Sequence, residues 1–261
     1  MLYVINSTDN NLFYSYFIPI VSQMWKSLGY YPVTLVLGDE SEWTTNTKTG
    51  FVLEQIRKTS AVVPIKRIAG FKDSTIVQIS RIYASAHEFA ADDYILTSDA
   101  DMLPLDKSWF HQQDPSKQFH IFGADAYGRR RFPICYLGAT AGIWRRIMKI
   151  QPTGISAAMR ISLNPTRDDW NYDESLITER LLGNQLYPNH CQFIDRGWPD
   201  GMATRRLDRA AWNWQGQHDL VDCHSLRPGY LHCDALKTIC ETYFPEHLQA
   251  VADYMTAFSA L

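Results

Sequence analysis

The residues best suited by type and spacing to do chemistry are Asp99 and Asp101, which close the run YILTSDADM with only Ala100 between them. In an extended chain alternate residues face the same side, so the two carboxylates project together and Ala100 leaves room beside them. Carboxylates about 4 Å apart repel by roughly 1 kcal/mol in water and roughly 4 kcal/mol at an effective dielectric of 20, so the pair calls for a counter-charge. A divalent cation held by oxygen ligands would supply it. The bland alternative is a solvated turn or a helix cap. The apolar run before the pair reads as a strand buried on both faces of a parallel sheet, and an acidic pair at the end of such a strand favours the metal.

Strands and helices alternate ahead of that pair. Residues 2–5 form a short apolar strand, and the polar cluster from Asn6 to Asn10 can cap a helix expected over 12–28. A strand over 32–37 ends at Gly38-Asp39, a helix covers 51–58, a strand covers 62–68, and helical spacing returns over 74–90. The strand YILT is then the fourth of an open α/β sheet with a mostly parallel order. Such sheets bind ligands at the carboxyl ends of their strands, where Thr8-Asp9-Asn10, Asp39 and Asp99-Ala100-Asp101 are expected to converge. Beyond the pair come a strand over 119–123, small residues Gly138, Ala139, Ala141 and Gly142 that admit a ligand or a neighbouring backbone, and a helix over 173–182. The remaining C-terminal region is aromatic and loop-rich. No linker divides the chain, so a single domain over 1–261 is expected.

Composition narrows the classes. With 261 residues, 46% of them hydrophobic, the chain can bury a full core. A net charge of -3 gives no sign of a binder that relies on neutralising nucleic-acid phosphates, and an anionic ligand must be met locally. Five cysteines without a CxxC pair favour free thiols and a cytoplasmic setting, and the N-terminus lacks the pattern of a secretory signal. Polar residues interrupt the most apolar stretch, so no transmembrane segment is expected and any membrane contact is peripheral.

The acidic motif after the fourth strand resembles that of the GT-A class of nucleotide-sugar glycosyltransferases, and the order of the further motifs is most like the retaining family-eight type. The resemblance implies a GT-A-like α/β/α sandwich with a Rossmann-like nucleotide-binding half, and would make residues 1–105 the nucleotide-sugar half and 106–261 the acceptor half. It places Thr8, Asp9 and Asn10 at the nucleoside, and makes Arg81, eighteen residues before Asp99, a donor contact. Asp173-Glu174 stands where the family has its later acidic pair. CHSLRPGY resembles the element that supplies a last metal ligand, His224, and a phosphate contact, Arg227.

The chemistry is consistent with those residues. Sugar transfer from a nucleoside diphosphate develops negative charge on the leaving diphosphate, which a bridging cation stabilises. The expected ligands are Asp99, Asp101 and His224, and the imidazole shifts preference from Mg²⁺ toward Mn²⁺. An ordinary hydrogen-bonded histidine and a surface salt bridge are the alternatives for His224 and Arg227. Asp173 and Glu174 are candidate catalytic acids, with a first-turn acidic cluster capped by Asn171 as the alternative. Trp198, Trp212 and Trp214 could offer a flat platform to an acceptor sugar, or simply pack in the core. Loops over 129–135, which include Arg129, Arg130 and Arg131, and over 196–216 are expected to order on donor binding, with an ordinary solvated loop as the alternative for the three arginines. The expected function is thus a metal-dependent glycosyltransferase carrying sugar from a donor, most simply a UDP-sugar, to a glycan acceptor. The rivals are a nucleotidyltransferase, a glycoside hydrolase and a non-catalytic carbohydrate-binding module. A hydrolase needs carboxyl groups facing across the scissile bond, and no Gly-rich loop is present to hold a triphosphate.

Overall fold

The computed structural model describes residues 1–127, 131–164, 171–197, 205–212 and 214–261. The strands are β1 (Leu2–Thr8), β2 (Tyr31–Leu37), β3 (Ala61–Ile65), β4 (Tyr94–Thr97), β5 (Met102–Pro104), β6 (Phe119–Phe122), β7 (Leu137–Thr140), β8 (Cys191–Ile194), β9 (Arg206–Asp208) and β10 (Asp222–His224). The helices are α1 (Leu12–Ser15), α2 (Ile18–Ser27), α3 (Glu40–Thr44), α4 (Thr47–Thr59), α5 (Asp73–Ser80), α6 (Lys107–Phe110), α7 (Ala141–Met148), α8 (Ile155–Ser162), α9 (Tyr172–Leu182), α10 (Cys233–Tyr243) and α11 (Leu248–Ser259).

Seven strands form the central sheet in the order β3-β2-β1-β4-β7-β6-β8. Its pairings are parallel except those of β7, which runs antiparallel to β4 and β6. Alternate residues of the inner strands enter different cores: Val4 and Leu96 join one, Ile5 and Ile95 the other. Residues of α2, α4, α10 and α11 pack in the first core and residues of α5, α7, α8 and α9 in the second, so the fold is an α/β/α sandwich with a mostly parallel sheet. Burial on both faces explains why these strands are continuous apolar runs.

Several expected elements take another form. The segment over 12–28 is two helices, because Pro19 lacks the N–H that a continuous helix would need, whereas in the first turn of α2 that loss is harmless. The helix expected over 74–90 ends as α5 at Ser80 and tightens into a 3-10 stretch, Arg81–Ala86. The small residues near 138 admit protein rather than a ligand: a Cβ on Gly138 would stand 1.9 Å from the Tyr94 hydroxyl. The end of the C-terminal region is helical, as α10 and α11, where aromatic loops were expected. Val251 and Met255 of α11 fill the first core, and the Tyr254 hydroxyl donates to the Tyr16 carbonyl at 2.9 Å.

A second sheet sits beside the first, in the order β5-β10-β9. Its strands have three residues each and come from distant parts of the chain. Asp222 holds it together. This fully buried carboxylate accepts from Arg196 Nε at 2.9 Å and from Arg206 Nε at 2.8 Å and Nη2 at 2.7 Å. Among the described residues, no helix is long and apolar enough to cross a membrane.

Candidate active site

A cleft of about 300 Å³ lies at the carboxyl ends of β1 and β4, lined by Thr8, Asp9, Asp99, Ala100 and Asp101 from those ends. Arg81 forms part of its lining, Asp173 and Glu174 stand at the start of α9, and Arg209, His224 and Arg227 come from the side sheet and the turn after it. Residues from both parts of the chain, before and after 105, therefore share one cleft. Asn10 and Asp39 are not among its lining residues. Asn10 Nδ2 donates to the Glu42 carbonyl at 3.3 Å, and the Asp39 N–H donates to the Glu42 carboxylate at 3.0 Å at the start of α3. Asn11, which the sequence did not single out, lines the cleft and caps α1 through the Phe13 N–H at 3.1 Å.

The acidic motif is a turn rather than a strand end. β4 stops at Thr97, and the Met102 N–H returns to the Asp99 carbonyl at 3.4 Å, so the alternation of an extended chain does not apply. The two carboxylates diverge, each to its own cations. Asp99 pairs with Nη1 of Arg81. Arg81 is buried; its Nη1 also donates to the Ser98 carbonyl at 3.1 Å and its Nη2 to Asp173 at 3.2 Å. Asp101 meets the second sheet, where Arg209 Nη1 at 2.6 Å, Arg227 Nε at 3.4 Å and His224 Nε2 at 3.5 Å all approach its Oδ2. Burial alone would raise the Asp101 carboxyl, but the His224 hydrogen bond and the two guanidinium charges hold it below the usual carboxylate value.

The second sheet fixes this arrangement. The Ser225 N–H donates to the Asp101 carbonyl at 3.0 Å, and β10 places His224 opposite both Met102 and Asp208. Asp208 accepts from the Ala210 N–H at 2.9 Å and faces His224 Nδ1 at 3.3 Å. Arg209 and Asp208 carry no local signal: Arg209 follows a three-residue strand and meets its partner 108 positions away. Arg227 donates to the Tyr14 hydroxyl at 2.6 Å and lies over the Phe13 and Tyr14 rings.

The expected metal triad is not assembled. Asp101 and His224 are together, but Asp99 is turned to Arg81, and the oxygen that would ligate an ion already faces three nitrogen groups. Among the described residues, no three His, Cys, Asp or Glu side chains are grouped so that they could hold a metal ion. A dication there would also stand against Arg209 at ion-pair distance, so the residues as arranged do not fit a metal.

At the start of α9, the Asn171 side chain makes no capping bond; instead the Glu174 N–H donates to Asp173 Oδ1 at 2.8 Å. Burial raises the Asp173 carboxyl, opposed by Arg81. Glu174 is pushed up to about 7, chiefly by burial and further by the nearby Asp173 and Asp99, against the lowering effect of Arg131, whose Nε is 2.8 Å away. Trp212 and Trp214 are half-buried against the first core and do not line the cleft, so burial of their apolar rings accounts for them. Trp198, Arg129 and Arg130 lie outside the described residues, as does much of the loop over 196–216.

No protein-family model matches this chain, and no curated protein is similar to it in sequence. Solved structures do align with it. One is the galactosyltransferase LgtC in complex with donor and acceptor sugar analogues, at 14% identity and a TM-score of 0.48 over 97% of this chain and 95% of that one. A second is the glycosyltransferase GlyE of Streptococcus pneumoniae TIGR4, at 12% identity and a TM-score of 0.41 over 74% of this chain; the match spans 45% of the GlyE chain, under half its length. A third is a mutant of Drosophila beta-1,4-galactosyltransferase 7 in complex with manganese, UDP-Gal and xylobiose, at 15% identity and a TM-score of 0.36 over 75% of this chain and 71% of that one.

Proposed function

We propose that the protein is a glycosyltransferase of GT-A-like architecture that transfers a sugar from a nucleoside-diphosphate sugar, in the first instance a UDP-sugar, to a carbohydrate acceptor. The observation that carries this reading is the convergence on one cleft, at the carboxyl ends of β1 and β4, of an Asp-Ala-Asp turn, three arginines and a separate carboxyl pair. An open α/β sheet binds its ligand at that edge. Arg209 and Arg227 supply charge for a departing diphosphate, and the Asp173-Glu174 pair, linked to Asp99 through Arg81, lines the same cleft and can meet an acceptor hydroxyl there.

In this reading Thr8 and Asp9 meet the nucleoside and Arg209 and Arg227 meet the diphosphate. Arg81 holds Asp99 and Asp173 in place from behind. Glu174, titrating near 7, is able to take the proton of the acceptor hydroxyl at physiological pH, because a base works best when its pKa is close to the working pH. Asp173, tied to Arg81, supports positive charge developing at the sugar carbon. The rest of the second half, residues 106–261, shapes the acceptor side.

The test is release of free nucleoside diphosphate from a panel of UDP- and GDP-sugars offered with mixed oligosaccharide acceptors. Turnover of one donor that depends on acceptor is the expected result. Cleavage of oligosaccharides without any nucleotide would instead identify a hydrolase.

A further inference from the structure

The charge that should meet the donor is already in the chain. Arg209 and Arg227 both line the cleft and both approach one oxygen, Asp101 Oδ2, which His224 Nε2 approaches as well. Asp101 is almost fully buried, while the Arg209 and Arg227 side chains keep 27% and 19% of their surface exposed. The two guanidinium groups are thus anchored at the buried end and open to the cleft. A guanidinium has five N–H donors, and the Asp101 bond uses one of those on Arg209. Arg81 cannot serve in the same way, since it is buried and spans Asp99, Ser98 and Asp173.

We propose that Arg209 and Arg227 form a paired guanidinium clamp that binds the diphosphate of the donor without a divalent cation, and that Asp101 is the positioning residue that holds both. This rests on the donor reading above and deepens it. Two planar forks present donors that match phosphate oxygens in pairs, and they bring two positive charges, the same number as one dication. The arrangement also accounts for the second sheet. β9 delivers Arg209, β10 and the turn after it deliver His224 and Arg227, and the buried Asp222 with its two arginines locks those strands in register.

Titration calorimetry of the whole protein with UDP and with GDP, each in EDTA and in excess Mn²⁺, tests this directly. The expected result is binding in EDTA with a Kd within about threefold of that in Mn²⁺. Arg209→Ala and Arg227→Ala should each weaken binding at least tenfold in both conditions, and Arg209→Lys, which keeps the charge but loses the fork, by an intermediate factor. Asp101→Asn should weaken binding severalfold yet leave it independent of Mn²⁺, which loss of a metal ligand would not do, and Asp101→Glu, which keeps the carboxylate, should restore part of the affinity, which a merely structural role would not predict. Binding that appears only with Mn²⁺, or an Arg209→Ala protein that folds and binds UDP normally, overturns the clamp and leaves the donor reading standing. If neither UDP nor GDP binds in either condition, the donor reading falls and the clamp falls with it. Should Arg209→Ala fail to fold, unaltered affinity in Arg209→Lys together with Mn²⁺-dependent binding overturns the proposal.

Discussion

Replacing Arg81 with Met should cost about 3–5 kcal/mol of folding stability at pH 8, and much less at pH 5. The guanidinium is buried and compensates two carboxylates, Asp99 and Asp173. Asp173 is nearly inaccessible, its side chain 4% exposed, so losing Arg81 leaves a charge in a poorly solvated place. Breaking one side of a buried ion pair carries a penalty of about that size, a large share of the roughly 5–15 kcal/mol that holds an ordinary domain folded. Burial already raises the Asp173 carboxyl and Arg81 opposes the rise, so the variant's folded-state pKa moves higher still. Between the unfolded value near 4 and that raised value the folded state binds more protons than the unfolded state. Stability therefore falls as pH rises through the window, and the deficit is largest above it. Urea unfolding at pH 5 and pH 8 measures this, and Arg81→Met/Asp173→Asn should recover most of the loss at pH 8. A deficit equal at both pH values and untouched by the second substitution would refute the assignment of the energy to an uncompensated Asp173.

Other expectations concern catalysis and packing. Glu174→Gln should lower the transfer rate by about 10²–10³-fold, and the wild-type rate should rise with pH through about 7 as the carboxyl ionises, a rise absent from the variant's profile. Gly138→Ala should destabilise the protein by about 1–3 kcal/mol in a melting assay, because the new methyl group meets the Tyr94 hydroxyl, itself 3.2 Å from His120 Nδ1. Asp222→Asn should cost about 3–5 kcal/mol in urea unfolding by leaving Arg196 and Arg206 short of their counter-charge. It should also weaken UDP in calorimetry, since β10 and β9 position the residues around Asp101.

What the sequence by itself determined lies in segments whose pattern is complete within about a dozen residues. Strands β1, β2 and β4 are apolar runs because both their faces are buried, and the helix opened by Asp173-Glu174 shows its own periodicity. The position of the Asp-Ala-Asp motif was legible for the same reason, as charge following a buried strand at the ligand edge of an open sheet, but its turn conformation was not, since the sequence read it as an extended strand end. Tertiary structure alone decided what the two aspartates do. The second sheet joins residues near 103, 207 and 223 through strands too short to show a period, so neither Arg209 nor Asp208 announces itself along the chain. An aspartate's partner is a matter of distance in space, and three-residue strands carry no trace of it. The tryptophans follow the same rule: an indole suits a sugar face or a core equally well, and only tertiary packing, which sets Trp212 and Trp214 partly buried against the first core and Trp214 beside Tyr243 of α10, distinguishes them.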